Sequence, residues 1–310
     1  MKVIITGPTG AIGHALIDLL LANGDEVLAI CHKNSKKIAS LPKNSNLQIL
    51  ELNLDEYYDY CNYSKDSFGV YDVLYHFAWN GTFGDNRNNV LLQRDNISYS
   101  LDAVKLSHSF GCRTFIGAGS QAEYGRVDGI INEKTAPFPE NGYGIAKLCA
   151  GQLTRLLCDQ FDMNHIWTRI LSVYGPYDND NSMVMSSLKK LLSNADADFT
   201  RGEQEWDYLY SEDAARALYL LSLNGKKNKT YVIASGKSKK LYEFIDTMTI
   251  ITESKSRITL GAIPYSEKQV MKLQADITEL IEDTGFRPTI GFDKGIKKTI
   301  EYLRCIDSDN

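Results

Sequence analysis

A tyrosine and a lysine spaced four residues apart are the pair in this sequence that most directly suggests catalysis. Tyr143 and Lys147 lie in the stretch NGYGIAKL, near the start of a predicted helix, so both side chains project from one face. A lysine ammonium near a phenol favours the phenolate and lowers its pKa from about 10, as proton exchange near neutral pH requires. The spacing therefore predicts a tyrosine that acts as acid and base and is tuned by the lysine.

A serine follows one of the predicted strands where ligands bind in parallel sheets. Ser120 stands in FIGAGSQAEYG, directly after the predicted fifth strand, which places it at the carboxyl edge of the sheet. In an open α/β sheet this edge is where ligands bind. The Ser120 hydroxyl is therefore predicted to hold a substrate carbonyl or alcohol against Tyr143.

A glycine-rich turn near the N-terminus predicts a phosphate-binding site. The stretch GPTGAIG follows the first predicted strand and opens a helix. Glycines let the backbone turn tightly and approach a ligand, while the free N–H groups and the positive helix end attract a pyrophosphate. A dinucleotide is therefore expected on this turn. The predicted contacts within it are Gly7, Thr9, Gly10, Ala11 and Ile12.

The elements that position these residues follow from the pattern of apolar residues. Short apolar runs alternate with segments of helical period, which predicts βαβ units and a parallel sheet covered on both faces. The predicted strands are 3–6, 26–31, 47–50, 73–77, 113–118, 165–171 and 230–234, and the longest predicted helices are 86–110 and 143–161. The predicted class is α/β, with a Rossmann doubly wound parallel sheet and a smaller mixed α/β C-terminal part that binds substrate. Residues 1–172 are predicted to form the NAD(P)-binding domain, to which 206–235 returns, and 173–205 with 236–310 the substrate-binding part.

Composition and charge exclude several classes of partner. The net charge is −5, from 34 basic and 39 acidic residues that are well mixed, so neither nucleic acid nor anionic lipid is an expected ligand. No run approaches the roughly 20 apolar residues that span a bilayer, and the N-terminus shows no signal core. The six cysteines form no C-x-x-C motif and the five histidines show no metal-ligand spacing. We expect a small-molecule partner, a cytoplasmic location and no metal.

Taken in order, the motifs resemble those of the extended short-chain dehydrogenase/reductases, the NAD-dependent epimerase/dehydratase family. The resemblance spans nearly the whole chain, through GPTGAIG, HFAW at 76–79, GSQAEYG at 119–125, YGIAK at 143–147, VYGP at 173–176 and GFRP at 285–288. It implies a catalytic set in which Tyr143 is the acid and base, Lys147 holds the nicotinamide ribose and Ser120 positions a sugar oxygen. It also implies a nucleotide-sugar substrate and a homodimer formed through the two long helices.

The resemblance further implies binding residues outside the catalytic set. Phe77, Ala78 and Ile170 are implied to line the dinucleotide together with Tyr143 and Lys147, and Asn53 and Leu54 to flank its adenine. The residues predicted to contact the sugar or its diphosphate are Trp79, Ser120, Gln121, Ser172, Trp206 and Arg287. Ser172 stands where many members carry Asn, and Trp206 where several carry Arg, so the details of sugar and nucleotide recognition stay open. For Trp79, packing is the alternative to lining the sugar pocket.

The end of the second predicted strand favours one cofactor over the other. A dinucleotide fold that uses NAD usually places Asp or Glu about 20 residues beyond the glycines, where it accepts hydrogen bonds from the ribose hydroxyls. Here that position is Cys31, and the residues that follow are His32, Lys33, Ser35, Lys36 and Lys37. A lysine and a hydroxyl hold a 2′-phosphate that a carboxylate repels. NADP(H) is therefore favoured, with His32 and Lys33 as contacts, and NAD(H) is the alternative.

The cofactor preference indicates the reaction. Net reductions draw on NADPH, so we predict reduction of the keto group, at C4, of a nucleotide-linked deoxy sugar in activated-sugar biosynthesis for surface polysaccharide. The chain looks most like the nucleotide-sugar 4-ketoreductases of the abequose and paratose synthase type. The alternatives are an NAD-dependent nucleotide-sugar 4-epimerase, a dehydratase that uses Glu123, and a redox-sensing protein without catalysis.

Overall fold

A computed structural model describes residues 1–63 and 69–308, and its centre is a seven-stranded parallel sheet. The strands of this sheet are β1 (Lys2–Thr6), β2 (Glu26–Cys31), β3 (Leu47–Glu51), β4 (Val73–His76), β5 (Thr114–Ser120), β7 (Asn164–Ile170) and β11 (Lys229–Ile233). Their order is β11-β7-β5-β4-β1-β2-β3, and every neighbouring pair is parallel. This is the predicted doubly wound Rossmann sheet, and the prediction is confirmed.

Short strands and helices complete the chain. The short strands are β6 (Ile130–Ile131), β8 (Ser172–Tyr174), β9 (Ala197–Phe199), β10 (Glu205–Tyr210), β12 (Ser238–Lys240), β13 (Ile258–Leu260) and β14 (Gln274–Ala275). The α-helices are α1 (Ala11–Ala22), α2 (Tyr57–Tyr63), α3 (Val90–Ser109), α4 (Gly142–Gln160), α5 (Met183–Leu192), α6 (Ser211–Asn224), α7 (Leu241–Thr252), α8 (Thr278–Thr284) and α9 (Phe292–Ser308). No described helix has both the length and the apolar character needed to cross a membrane.

The central strands are buried on both faces because helices cover both faces. Val3 and Ile5 of β1 pack with Leu16 of α1 and Leu218 of α6 on one face. Ile4, between them, points to the other face, into the core that α3 and α4 cover. Successive strand side chains alternate between faces, so a continuous apolar run fits a strand with two buried faces.

The chain order across the sheet creates the crevice in which the site lies. From β1 the chain proceeds outward to β2 and β3, and it then returns to the other side of β1 with β4. The helices that follow β1 and β4 therefore lie on opposite faces and leave an opening at the carboxyl ends of these two strands. Thr6 and His76, paired in register, mark that point.

The C-terminal part packs around a separate core, and one segment returns to the large sheet. β8, β10 and β12 form a three-stranded sheet, and α5, α7 and α9 share an apolar cluster with it. α6 packs against α1, and β11 hydrogen-bonds to β7 at the edge of the large sheet. The predicted division of the chain into two parts remains a prediction.

The predicted helix over 86–110 begins later than expected. α3 starts at Val90 because Asn89 caps it, its side-chain oxygen accepting a hydrogen bond from the N–H of Leu92. Residues 84–88 instead form a 3₁₀ turn that carries Arg87. The shift matters because this turn and the loop before it lie at the mouth of the site.

Candidate active site

Tyr143 and Lys147 lie side by side on the first turns of α4. Asn141 caps the helix by accepting a hydrogen bond from the N–H of Gly144, and this fixes where the four-residue spacing begins. Both side chains are buried, with 9% and 3% of their surfaces exposed. The Lys147 ammonium donates to the carbonyl of Ala118 at 2.7 Å and lies 5.8 Å from the centre of the Tyr143 ring. The predicted pair is thus positioned by α4 against the end of β5.

The pKa of Tyr143 departs from the sequence-based expectation. We expected Lys147 to lower the pKa of the phenol, but burial raises it, and this outweighs the lowering by the hydrogen bond with Ser120 and by the charge of Arg87. Burial also lowers the pKa of Lys147 to about 7, so near neutral pH the lysine carries only part of its charge. The expected direction was therefore wrong, because desolvation dominates both groups.

Ser120 ends β5 and reaches Tyr143 from the neighbouring element. Its side-chain oxygen accepts a hydrogen bond from the N–H of Ala122 at 3.2 Å, and its hydroxyl hydrogen-bonds with the Tyr143 phenol. Ser120 is nine-tenths buried, which restricts the positions that its side chain can adopt. The three residues predicted to be catalytic therefore come together.

The glycine turn has the geometry of a cradle for an anionic group. Gly7 has a φ of +67°, and a Cβ there would lie 2.7 Å from the amide nitrogen of Ala78. A Cβ at Gly10 would meet nothing within 4 Å, so that glycine faces open space. Gly10 also caps α1 without a side-chain hydrogen bond, and the first turn carries no acidic residue. The N–H groups of the first turn and the positive end of the helix dipole are therefore accessible to a phosphate at this turn.

Two adjoining clefts follow the carboxyl edge of the sheet and share Gly7 and Trp79. The β2-side cleft holds about 180 Å³ and the catalytic cleft about 350 Å³. Predicted residues that line the β2-side cleft are Gly7, Thr9, His32, Asn53, Leu54 and Ala78. Predicted residues that line the catalytic cleft are Gly10, Ala11, Ile12, Phe77, Trp79, Ser120, Tyr143, Lys147 and Ile170. A groove that runs from β2 past a glycine cradle to Lys147 fits an extended dinucleotide.

Comparison with known proteins identifies the family of the chain. A family model described as the NAD dependent epimerase/dehydratase family matches residues 3–234. The chain belongs to this family. Its members are NAD(P)-dependent enzymes of the oxidoreductase type that act on nucleotide sugars, and the sequence-based recognition is confirmed.

Similar proteins extend the match over the full chain. CDP-abequose synthase of Salmonella muenchen is 24% identical over 304 residues, covering 96% of this chain and 97% of that protein. dTDP-4-dehydro-6-deoxyglucose reductase of Escherichia coli is 25% identical over 323 residues, covering 98% of both. A solved structure, UDP-glucuronic acid 4-epimerase from Bacillus cereus in complex with NAD, superposes with a TM-score of 0.85 at 20% identity, covering 100% of this chain and 99% of that one.

Five predicted residues of this epimerase/dehydratase chain lie elsewhere. Within the described part of the chain, the linings of the two clefts do not include Lys33, Gln121, Ser172, Trp206 or Arg287. Lys33 forms an ion pair with Glu56, and the Trp206 indole donates to the Ser172 hydroxyl at 2.7 Å in the small sheet. Arg287 follows α8, and its carbonyl accepts a hydrogen bond from Arg216 of α6. The binding roles of these five residues stay predictions that the geometry of the clefts does not support.

The loop after β4 contributes contacts that sequence reasoning missed. The Trp79 ring lies 3.8 Å from the Lys147 ammonium and meets the Tyr143 ring edge to face. The Trp79 indole donates to Gln93, which in turn donates to the carbonyls of Gly81 and Asn86. Arg87 lies over the Tyr143 ring at 4.4 Å. Trp79 was predicted from the sequence as a sugar contact, but the signal for Arg87 was only the polar character of this loop, which does not say where an arginine points.

Proposed function

We propose that the chain catalyses NADPH-dependent reduction of the keto group, at C4, of a nucleotide-linked deoxy sugar in activated-sugar biosynthesis for surface polysaccharide. The observation that carries this proposal is the meeting of Ser120, Tyr143 and Lys147 in one cleft, which adjoins a β2-side cleft that no described carboxylate lines. Two relatives that align over nearly all of both chains bear the names of an abequose synthase and a 4-dehydro-sugar reductase. These names support a reductase.

The side chains of the cleft suit a proton donor for a keto oxygen. Bound NADPH supplies the hydride in this proposal, and the chain supplies the proton and the orientation. Tyr143 keeps its proton near neutral pH because burial raises its pKa, so it is ready to act as the acid. Ser120 donates a hydrogen bond to the same oxygen, and the Lys147 ammonium binds the ribose and offsets the negative charge that Tyr143 acquires when it gives up its proton.

NADPH is proposed from the groups at the end of β2. Cys31, His32 and Ser35 line the β2-side cleft together with Asn53, and among the described residues no carboxylate lines it. Lys33, which we expected to hold the 2′-phosphate, is paired with Glu56. His32 and Ser35 are therefore the proposed phosphate contacts, with NAD(H) as the alternative.

Placing a carboxylate at Ser35 is expected to reverse the cofactor preference. Ser35→Asp repels a 2′-phosphate but accepts hydrogen bonds from ribose hydroxyls, so kcat/KM with NADPH should fall by roughly 10- to 100-fold relative to NADH. Asn34→Asp is the matched control, because Asn34 is exposed and does not line the cleft. Steady-state kinetics with both cofactors measure the ratio. Equal losses in the two variants would exclude a phosphate contact at Ser35.

The dehydratase alternative loses the residue on which the sequence based it. Glu123 is completely buried, and its carboxylate bonds to Trp167 and Arg169 of β7, away from the catalytic cleft. Glu123 does not line the cleft in which the proposal places the sugar. This leaves the 4-epimerase as the main competing reaction.

The test of the proposed function is a panel of nucleotide 4-keto sugars incubated with NADPH or NADH. The reductase proposal predicts loss of cofactor absorbance with at least one sugar and an NMR-identified product that is reduced at C4. Purified protein that carries stoichiometric NAD and interconverts two sugars without added cofactor would establish the epimerase instead.

We also propose a homodimer formed through α3 and α4. These helices pack against each other, and α4 presents Ile145, Leu153 and Leu156 to the outside with 55%, 38% and 50% of their surfaces exposed. On α3, Val90 and Leu91 are 72% and 63% exposed. Such an apolar surface on two adjacent long helices suits an isologous interface with a second copy.

A charge in this surface is expected to separate the dimer. Leu156→Glu should shift the mass measured by light scattering after gel filtration from two chains to one, because a buried unpaired carboxylate is costly. Ile250→Glu is the control, since Ile250 of α7 is 75% exposed and lies outside this surface. A wild-type protein that elutes as a monomer would rule out the proposal.

A further inference from the structure

A buried ion pair lies directly behind Ser120, and the proposed reaction does not use it. Glu123 has no exposed surface, and Arg169 of β7 is 5% exposed. The Arg169 guanidinium donates to the Glu123 carboxylate at 2.8 Å, and the Trp167 indole donates to both carboxylate oxygens at 3.0 and 3.2 Å. Burying a charged pair costs free energy of desolvation even when both partners are hydrogen-bonded, so a pair in this position is weak evidence for stability and calls for another explanation.

Glycines surround these side chains at positions where no larger residue would fit. A Cβ at Gly119 would collide with the Glu123 carboxylate and with the Trp167 indole. A Cβ at Gly117 or at Gly151 would collide with the Trp167 ring. β5 and α4 therefore lack side chains at three places where the indole and the carboxylate lie, which makes the cluster a specific part of the fold.

The carboxylate also holds the backbone of the catalytic serine. Glu123 accepts a hydrogen bond from the N–H of Ser120 at 2.8 Å, and the Ser120 side-chain oxygen accepts one in return from the N–H of Glu123 in a capping box. The same serine oxygen accepts a second N–H, from Ala122. Both lone pairs of the hydroxyl are therefore engaged by backbone donors, and its proton is left to point into the cleft.

We infer that Glu123 is a positioning residue that fixes Ser120 as a hydrogen-bond donor toward Tyr143 and the substrate oxygen. The inference rests on the proposed function, in which that oxygen gains charge during reduction. Arg169 and Trp167 hold the carboxylate in place, and the closed bonding of the serine prevents its hydroxyl from turning away. The Ser120 hydroxyl is then already oriented before the reaction, so the activation free energy does not include the entropy lost in orienting it.

The carboxylate also acts on the two titratable groups of the site through its charge. It raises the pKa of both Tyr143 and Lys147 and opposes the burial of the lysine. Removing the charge should therefore move the titration of both groups to lower pH. A residue that only contributes to folding would leave those titrations unchanged.

A double-mutant cycle with Ser120→Ala tests whether Glu123 acts through the serine. Glu123→Gln keeps the volume but leaves one of three converging donors unsatisfied, so kcat should fall roughly 10- to 100-fold with little change in KM for the cofactor. In the Ser120→Ala background the same substitution should lower kcat by less than about threefold, because the hydroxyl that Glu123 orients is absent. An equal cost in both backgrounds would overturn the inference.

Two further variants keep the test decisive. Glu123→Asp retains the charge next to Arg169 but shortens the reach to the Ser120 N–H, so it should lower kcat without moving the pH profile, and it replaces Glu123→Gln in the cycle if the latter does not fold. Thr154→Val is the control for lost buried hydrogen bonding. Thr154 of α4 is fully buried and bonds to His165 and to Ala150, so its loss should lower stability but leave kcat unchanged.

A readout without substrate separates this inference from the proposed function. Ultraviolet titration of the Tyr143 phenolate, taken as the difference from the Tyr143→Phe variant, should move to lower pH in Glu123→Gln and stay in place in Thr154→Val. If the panel of 4-keto sugars shows no reduction, the proposed function fails while this titration still tests Glu123. An unmoved phenolate would overturn the electrostatic role of the carboxylate.

Discussion

Tyr143→Phe is expected to remove most of the turnover and to leave cofactor binding intact. The variant loses the phenol that hydrogen-bonds with Ser120 and that donates the proton in the proposed reaction, so kcat should fall by about 10²- to 10⁴-fold. Burial keeps the wild-type phenol protonated by raising its pKa, which makes it an acid at neutral pH and not a base. The measurement is single-turnover reduction at saturating cofactor, with NADPH affinity followed by fluorescence.

The control for this prediction removes a phenol of similar burial elsewhere. Tyr231 of β11 is fully buried, and its hydroxyl donates to Asp283 at the sheet edge. Tyr231→Phe should lower the melting temperature but keep kcat near that of the wild type. Retained turnover in Tyr143→Phe would show that a solvent water or another group delivers the proton.

The fold was predictable because its signals are local. A continuous apolar run such as 26–31 indicates a strand with two buried faces, and the glycines that follow 2–6 indicate a tight turn into a helix. The meeting of the three residues proposed to be catalytic was predictable for the same reason. Tyr143 and Lys147 share one helix, and Ser120 ends a strand whose place in the sheet follows from the alternating pattern.

The parts of the site that sequence reasoning missed depend on contacts between distant segments. Glu56 pairs with Lys33 across 23 residues, and no local pattern indicates that this lysine is engaged. Glu123 could be weighed from the sequence only as a sugar-contacting acid, because its inward direction depends on Trp167 and Arg169, 44 and 46 residues later. The pKa of Tyr143 was expected to fall because spacing reveals a neighbouring charge but not the depth of burial.

Lys147→Met is expected to have opposite effects on activity and on stability. The buried ammonium is surrounded by the Trp79 ring, the Ala118 carbonyl and the Tyr143 ring, and burial lowers its pKa to about 7. Methionine fills the same volume without a charge. Because methionine neither binds the ribose nor offsets the charge on Tyr143, kcat/KM should fall by roughly 100-fold or more. The variant should nevertheless melt at a higher temperature at pH 7, because it buries no charge.

The pH dependence of this stabilisation distinguishes a buried charge from improved packing. In the unfolded chain the lysine titrates near its ordinary pKa of about 10.4, so between about pH 7 and pH 10 the unfolded state binds one more proton than the folded state. Wild-type stability from this group therefore rises with pH across that range, while the methionine variant has nothing to titrate. The difference in melting temperature without cofactor should be largest at or below pH 7 and should vanish near pH 10.

The exposed lysine Lys190 of α5 gives the matched control, because Lys190→Met removes the same charge without burial and should leave both activity and the pH profile unchanged. A difference in melting temperature between Lys147→Met and wild type that stays constant from pH 6 to 10 would mean that the lysine is not held neutral in the folded chain. The loss of activity and the gain in stability would then need separate causes. If the difference does fade with rising pH, one buried ammonium accounts for both, and the site keeps it at the expense of stability because the reaction requires it.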